Sequence, residues 1–192
     1  LLNRHIHEYQ MQKKIVITGG PGSGKSVVIN ELIQRDYVCM PEISREVTLN
    51  ARKSGIEQLF LNQPMLFSKM LLEGRKAQYL EAERTGAEIV FFDRGLPDVN
   101  AYLDHFNVVY DDYFHRIAEA YTYHKIYIMP PWPDIYQMDT ERYEDFDQAK
   151  AIFQSIEKIY RRLGYDLISV PRGTVEERVD FILKQINHEE SR

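Results

Sequence analysis

Five short apolar runs divide the chain, and the stretches between them repeat their apolar residues at helical spacing. Lys14-Ile15-Val16-Ile17-Thr18 reads as a buried first strand running into glycines. Residues 25–35 read as a helix with Val28, Ile29, Leu32 and Ile33 as its inward stripe. Tyr37 to Met40 is a short second strand stopped by Pro41. A helical pattern covers Glu46 to Arg84, with Pro64 marking a helix start. Glu88 to Phe92 is the third strand, ending at Asp93-Arg94-Gly95, and helices are expected near Pro97–His105 and Tyr110–Tyr121. Lys125 to Met129 is the fourth strand. Pro130-Pro131-Trp132-Pro133 cannot be regular helix or central strand and opens a polar, flap-like segment through Asp147. Helical periodicity returns from Lys150 to Leu163 and stops at Gly164. Tyr165 to Val170 is the fifth strand, and Val175 to Ile186 the closing helix. Strand and helix alternate throughout, which predicts βαβ units around a mainly parallel sheet.

The first turn carries the most specific chemistry. Gly19-Gly20-Pro21-Gly22-Ser23-Gly24-Lys25-Ser26 matches G-x-x-x-x-G-K-[ST] in full, between a strand and a helix as that motif requires. Glycines let successive N–H groups turn inward around a phosphate, and the helix adds its positive end. Gly20, Pro21, Gly22, Ser23, Gly24, Lys25, Ser26 and Val27 are the expected nucleotide contacts. Lys25 would reach the β- and γ-phosphates, and the Ser26 hydroxyl would ligate Mg²⁺.

Other residues fall at strand ends facing the same crevice. Asp93 ends an apolar strand, where it can hold the Mg²⁺ shell beside Ser26. The next residue is Arg94, where many P-loop ATPases place a water-polarising Glu. A guanidinium stays protonated and cannot act as a base, but it can grip an acceptor or spread phosphoryl charge. Glu42, after the second strand, can take a proton from an attacking hydroxyl, and Arg45 can clamp an acceptor phosphate or a ribose. The blander reading has Glu42 capping the next helix and Arg45 in solvent. Arg142, in the polar segment, is the expected lid arginine. Trp132 and Tyr136 can line the acceptor pocket or simply staple that segment to the core, and the staple is the safer reading for isolated aromatics. The turn holding Pro171 and Gly173 can pack on the adenine or simply lead into the last helix, with Thr174 as its cap.

Composition narrows the partners. The 192 residues carry a net charge of −5, so nucleic acid and anionic membrane are not expected partners. The chain's one cysteine, Cys39, admits no intrachain disulfide, which suits a cytoplasmic location. No apolar run approaches bilayer length. Residues 1–12 are expected to be an extension or remnant, with residues 13–192 forming one nucleoside-triphosphate-binding domain; a homodimer stays open.

With GGPGSGKS, PEISRE, FFDRGLPD, PPWPDIYQMDTERYEDF and GYDLISVP in place, the chain from about Lys13 onward resembles the P-loop family of AAA-domain or predicted ATPases. That group is similar to the kinase domain of nicotinamide riboside kinases and, more distantly, to deoxynucleoside and thymidylate kinases. The resemblance implies a three-layer α/β P-loop NTPase fold with a five-stranded parallel sheet in order 2-3-1-4-5 and a lid segment. It also implies Glu42 as base, Arg94 as a phosphate-side contact and Arg142 as a lid arginine. Oligomeric AAA machines carry an Asp-Glu pair and a helical lid domain; neither is found here. The expected activity is transfer of the ATP γ-phosphate, with Mg²⁺, to a hydroxyl of a nucleoside-like small molecule. The alternatives are an ATPase, or a nucleotide-dependent switch without an acceptor.

Overall fold

Strands that are apolar on both faces must be covered on both, and helices from the intervening segments do so here. A computed structural model describes residues 11–56, 59–135 and 145–187, without the side chains of Phe60 and Leu61. Its strands are β1 (Lys13–Gly19), β2 (Val38–Met40), β3 (Ile89–Asp93), β4 (Lys125–Met129) and β5 (Leu167–Ser169). They pair in parallel in the order β2-β3-β1-β4-β5, the order the family resemblance implies. The helices are α1 (Lys25–Gln34), α2 (Ser44–Lys53), α3 (Leu59–Asn62), α4 (Pro64–Arg84), α5 (Pro97–His105), α6 (Tyr113–Ala120), α7 (Phe146–Arg162) and α8 (Val175–Asn187).

The two-residue period of the strands splits the core. Ile15, Ile17, Phe91, Tyr127 and Met129 point to one face and pack with Val28, Ile29 and Leu32 of α1 and Val179, Ile182 and Ile186 of α8. Val16, Val90, Phe92, Ile126 and Ile128 point to the other face, against Leu71 and Leu72 of α4, Val99 and Leu103 of α5, and Ile152, Ile156 and Ile159 of α7. Among the described residues, no helix is long and apolar enough to cross a membrane.

Several boundaries differ from the sequence pattern for identifiable reasons. Ile33, placed on the inward stripe by periodicity, is half exposed, because Val28, Ile29 and Leu32 already fill the α1–sheet contact. The 46–84 pattern is three helices, the last starting at Pro64 as the sequence places it; α2 begins earlier, at Ser44, and ends at Lys53, capped by Ser54 before Gly55 takes a left-handed φ of 79°. Helix α7 starts at Phe146 rather than Lys150. Asp145 accepts from the Gln148 amide while Gln148 Oε1 accepts from the Asp145 amide, a reciprocal cap that fixes the first turn.

Cys39 lies partly buried on β2, and its thiol is pushed up to about 12, chiefly by burial and then by the charge of Asp93. Raising the pKa of an acid disfavours its ionised form, and only the thiolate alkylates. Iodoacetamide at pH 8 is expected to modify the native thiol at least about a hundredfold more slowly than the urea-unfolded one. Equal rates would mean the thiol is not shielded.

Candidate functional site

The carboxyl ends of β1 and β3 lie side by side where the strand order reverses, the place where open α/β sheets gather ligands. Ile17 pairs with Asp93, so the acid at the β3 tip stands two residues before the glycine loop begins. Two glycines are demanded by geometry. Gly19 has a φ of 149°, and a Cβ there would collide with the Met129 carbonyl oxygen of β4. Gly24 caps α1 in the left-handed conformation at φ 80°.

Lys25, the first residue of α1, turns back over this loop. Its Nζ donates to Gly19 O at 3.0 Å, Gly20 O at 2.8 Å and Ser23 Oγ at 3.2 Å. Ser23 Oγ in turn donates to Gly20 O at 3.0 Å. Burial, followed by the nearby Arg94 charge, lowers the Lys25 pKa to about 7, while Asp93, Asp98 and Glu42 oppose the shift. Ser26 and Val27 are exposed on the next positions of α1.

Asp93 is buried, and its Oδ1 has no hydrogen-bond partner. Burial raises its pKa against the pull of Lys25 and Arg94. A buried carboxylate oxygen with unmet acceptor capacity suits a hard divalent cation, and Ser26 supplies a hydroxyl on the neighbouring helix end. Arg94 takes a left-handed φ of 74°, which aims its side chain back at the loop. Its Nη1 donates to Gly19 O at 3.1 Å and lies 3.5 Å from Asp98 Oδ1, and its guanidinium sits over the Tyr102 ring. Its pKa is raised, by Tyr102, Asp98, Glu42 and Asp93 acting against burial, so it stays charged.

Asp98 is the hub beneath these residues and was not singled out from the sequence. It is fully buried on α5. Its Oδ1 accepts from Thr18 Oγ1 at 2.5 Å, and its Oδ2 accepts from the Gly95 amide at 2.9 Å and the Tyr160 hydroxyl at 2.6 Å. It therefore ties β1, the β3–α5 turn and α7 together under the loop.

Of its two readings, Glu42 makes the contacts of the blander one. It accepts from the Ser44 amide and hydroxyl at the start of α2, and it pairs with Arg75 Nη2 of α4 at 3.3 Å. Burial would raise its pKa, but Arg75, Arg94 and the Ser44 bonds together hold it below the usual value. Glu42 is thus an ionised carboxylate whose charge is felt by Lys25, Asp93 and Arg94. Arg75 is buried and also donates from Nη1 to Gly95 O at 3.0 Å. Arg45, expected at the acceptor, is exposed on α2. Arg142 and Tyr136 fall outside the described residues.

At the far side, Thr174 caps α8, its Oγ1 accepting from the Glu177 amide at 3.2 Å, while Pro171 is exposed and Gly173 half-buried in the preceding turn. Arg172 Nη2 donates to Pro131 O at 3.2 Å, linking this turn to the segment after β4.

The sheet order, the glycine loop closing on Lys25, and an acid at the neighbouring strand tip define the P-loop nucleotide-binding fold of the nucleoside and nucleotide kinase type. Residues 14–178 match the AAA domain family, and the chain belongs to it. No curated protein matches the sequence. Among solved structures, the fold is similar to deoxyadenosine kinase from M. mycoides, solved with dCMP and dCDP bound. There the TM-score is 0.68 at 18% identity, over 91% of this chain and 99% of that one. It is also similar to NadR in complex with NR, with a TM-score of 0.70 at 14% identity over 92% of this chain, which spans about half of NadR. YorR from Bacillus subtilis, in complex with phosphorylated GDP, matches with a TM-score of 0.58 at 15% identity over 94% of this chain and 99% of that one.

Proposed function

We propose that this chain is a Mg²⁺-dependent kinase that passes the γ-phosphoryl group of ATP to a hydroxyl of a nucleoside-like small molecule. The observation that carries this reading is Glu42: a second carboxylate, held ionised by Arg75, in the same charge cluster as Lys25, Asp93 and Arg94. A hydrolase needs only to activate water, and the residue after Asp93 is an arginine that cannot accept a proton. A kinase needs a separate base across from the donor phosphate, and Glu42 has the ionisation and place for it.

In this reading Gly20 to Val27 cradle the nucleotide phosphates, and Pro171 and Gly173 flank the base. Lys25 and Arg94 spread the charge of the transferring group, with Arg142 joining them from the lid. Ser26 and Asp93 would hold Mg²⁺, which would supply charge compensation for the donor phosphates. Glu42 takes the acceptor proton. Arg45 stays a peripheral acceptor contact. The deoxyadenosine kinase and NadR neighbours, solved with nucleosides or nucleotides bound, support an acceptor of that kind.

ADP release from MgATP, screened across nucleosides and vitamin-like alcohols, tests the reading. At least one acceptor is expected to stimulate turnover. Glu42→Gln should lower that turnover by about 10²–10⁴-fold with MgATP affinity retained. Stimulation by no acceptor, with steady hydrolysis that Asp93→Asn abolishes, would replace the kinase by an ATPase.

A further inference from the structure

Helix α4 runs past the loop that follows β2 and holds three of its residues in succession. Gly74 lets the helix approach Ile43, whose Cδ1 lies 2.5 Å from where a Cβ on Gly74 would stand. One position on, Arg75 Nη2 pairs with Glu42 Oε1 at 3.3 Å. One turn beyond Gly74, Gln78 Nε2 donates to Pro41 O at 2.7 Å. Positions 74 and 78, like 75 and 78, are neighbours on a helix surface, so one patch of α4 makes all three contacts. Glycine weakens a helix interior, and the close approach to Ile43 gives it a reason here.

Arg75 reaches further than the other two. It is 5% exposed, and its Nη1 donates to Gly95 O at 3.0 Å, in the turn that carries Arg94. One planar fork therefore ties together the loops at the ends of β2 and β3, which are paired neighbours in the sheet. The charged groups acting on or with Glu42 are Arg75 from α4, Arg94 from the β3–α5 turn, Asp93 from β3 and Lys25 from α1, with Ser44 donating from α2. Burial favours the protonated acid there, and Arg75 is the strongest charge opposing it. Arg94 is drawn instead to Gly19 O and Asp98.

We propose that Arg75 is a positioning residue for phosphoryl transfer: mounted on α4, it keeps the Glu42 carboxylate ionised and fixed beside the Arg94 turn, acting through Glu42 and not on the substrate. The assignment rests on the kinase reading above, in which Glu42 takes the acceptor proton. The competing use of Arg75 is a direct grip on the acceptor, and pH separates the two. A cation that keeps a base ionised matters where the base would otherwise be protonated, so its removal costs turnover on the acid side and little at alkaline pH. A cation that grips the acceptor costs acceptor affinity on both sides.

Two measurements on the whole chain test it. The first needs no acceptor: NMR of carboxyl-labelled glutamate follows the titration of Glu42, identified by the resonance lost in Glu42→Gln. In the wild type Glu42 is expected to titrate below the other glutamates, in Arg75→Met above them, and in Arg75→Lys back toward the wild type. The second is ADP release from MgATP with deoxyadenosine, deoxycytidine and nicotinamide riboside in turn. With an acceptor that stimulates, kcat of Arg75→Met at about pH 5.5 should fall at least about tenfold below wild type and approach it by about pH 8.5. KM for MgATP should stay unchanged, and Arg75→Lys should restore the acid side. Arg75→Gln keeps a donor without the charge and gives the same comparison, should Arg75→Met fail to fold. A Glu42 titration indifferent to the loss of Arg75, an equal loss of kcat at both pH values, or a rise in acceptor KM at constant kcat would each overturn the assignment. The expected titration shift with stimulation by none of these acceptors would remove the kinase reading, and the base role with it, while the ion pair stands.

Discussion

Lys25→Met is expected to abolish phosphoryl transfer to within about 10²–10³-fold of background and to weaken MgATP by about ten- to a hundredfold, yet to raise the melting temperature. The losses of transfer and of MgATP affinity follow from removing the ammonium that closes on the loop from within. The rise in melting temperature follows from its burial, which already lowers its pKa to about 7 from 10.5. The folded state thus disfavours the charged amine, and an unbranched apolar side chain of similar length removes that cost. The sign of the pH dependence is fixed by the same shift. Between about pH 7 and pH 10.5 the unfolded chain holds a proton on Lys25 that the folded chain lacks, so this group's contribution to stability increases as pH rises across that window. Below about pH 7 both states are protonated and its penalty is full. The difference in stability between Lys25→Met and wild type should therefore be largest near neutral pH and shrink toward pH 10. A lower melting temperature in the variant would mean that the bonds from Lys25 to Gly19, Gly20 and Ser23 outweigh its burial.

Asp98→Ala should cost the most stability of any single substitution at the site. The carboxylate accepts from Thr18, Gly95 and Tyr160 and faces Arg94, all with little or no access to water. Deleting it strands a buried cation and three buried donors, a loss of about 3–5 kcal/mol. In a chain of this size, that should lower the melting temperature by about 10 °C. Asp98→Asn keeps the shape but presents a donor where one of those partners also donates, so an intermediate drop is expected by calorimetry. Melting unchanged in both variants would show that Asp98 does not hold the β1, β3 and α7 ends together.

Much of this site was legible in the chain. The glycine loop is a local motif whose chemistry depends on spacing alone, and Asp93 announces itself as an acid at the end of an apolar strand. The polar residues inside the fold were harder to see. Arg75 sits on the α4 face with Ser68, Leu71, Leu72 and Ala82, and Arg178 sits on the α8 face with Val179, Ile182 and Ile186. Each is a charge on an apolar stripe, a visible irregularity. Its meaning depended on what faced it: Glu42 from one loop, Gly24 and Trp132 from two others. Asp98 lay within a recognised stretch, FFDRGLPD, but an acid in the first turn of a helix ordinarily serves only the helix end.

The sequence by itself determined the alternation of strands and helices, the phosphate loop and the acid beside it, because those rest on period and on contacts between near neighbours in the chain. Tertiary structure decided which guanidinium holds Glu42, which carboxylate anchors Arg94, and which cation lies against the loop. Glu42 and Arg75 are 33 positions apart, and Asp98, though only four residues from Arg94, is fixed beneath the loop by Thr18 and Tyr160, 80 and 62 positions away, so these charges acquire their partners only when separate elements are brought to the same end of the sheet.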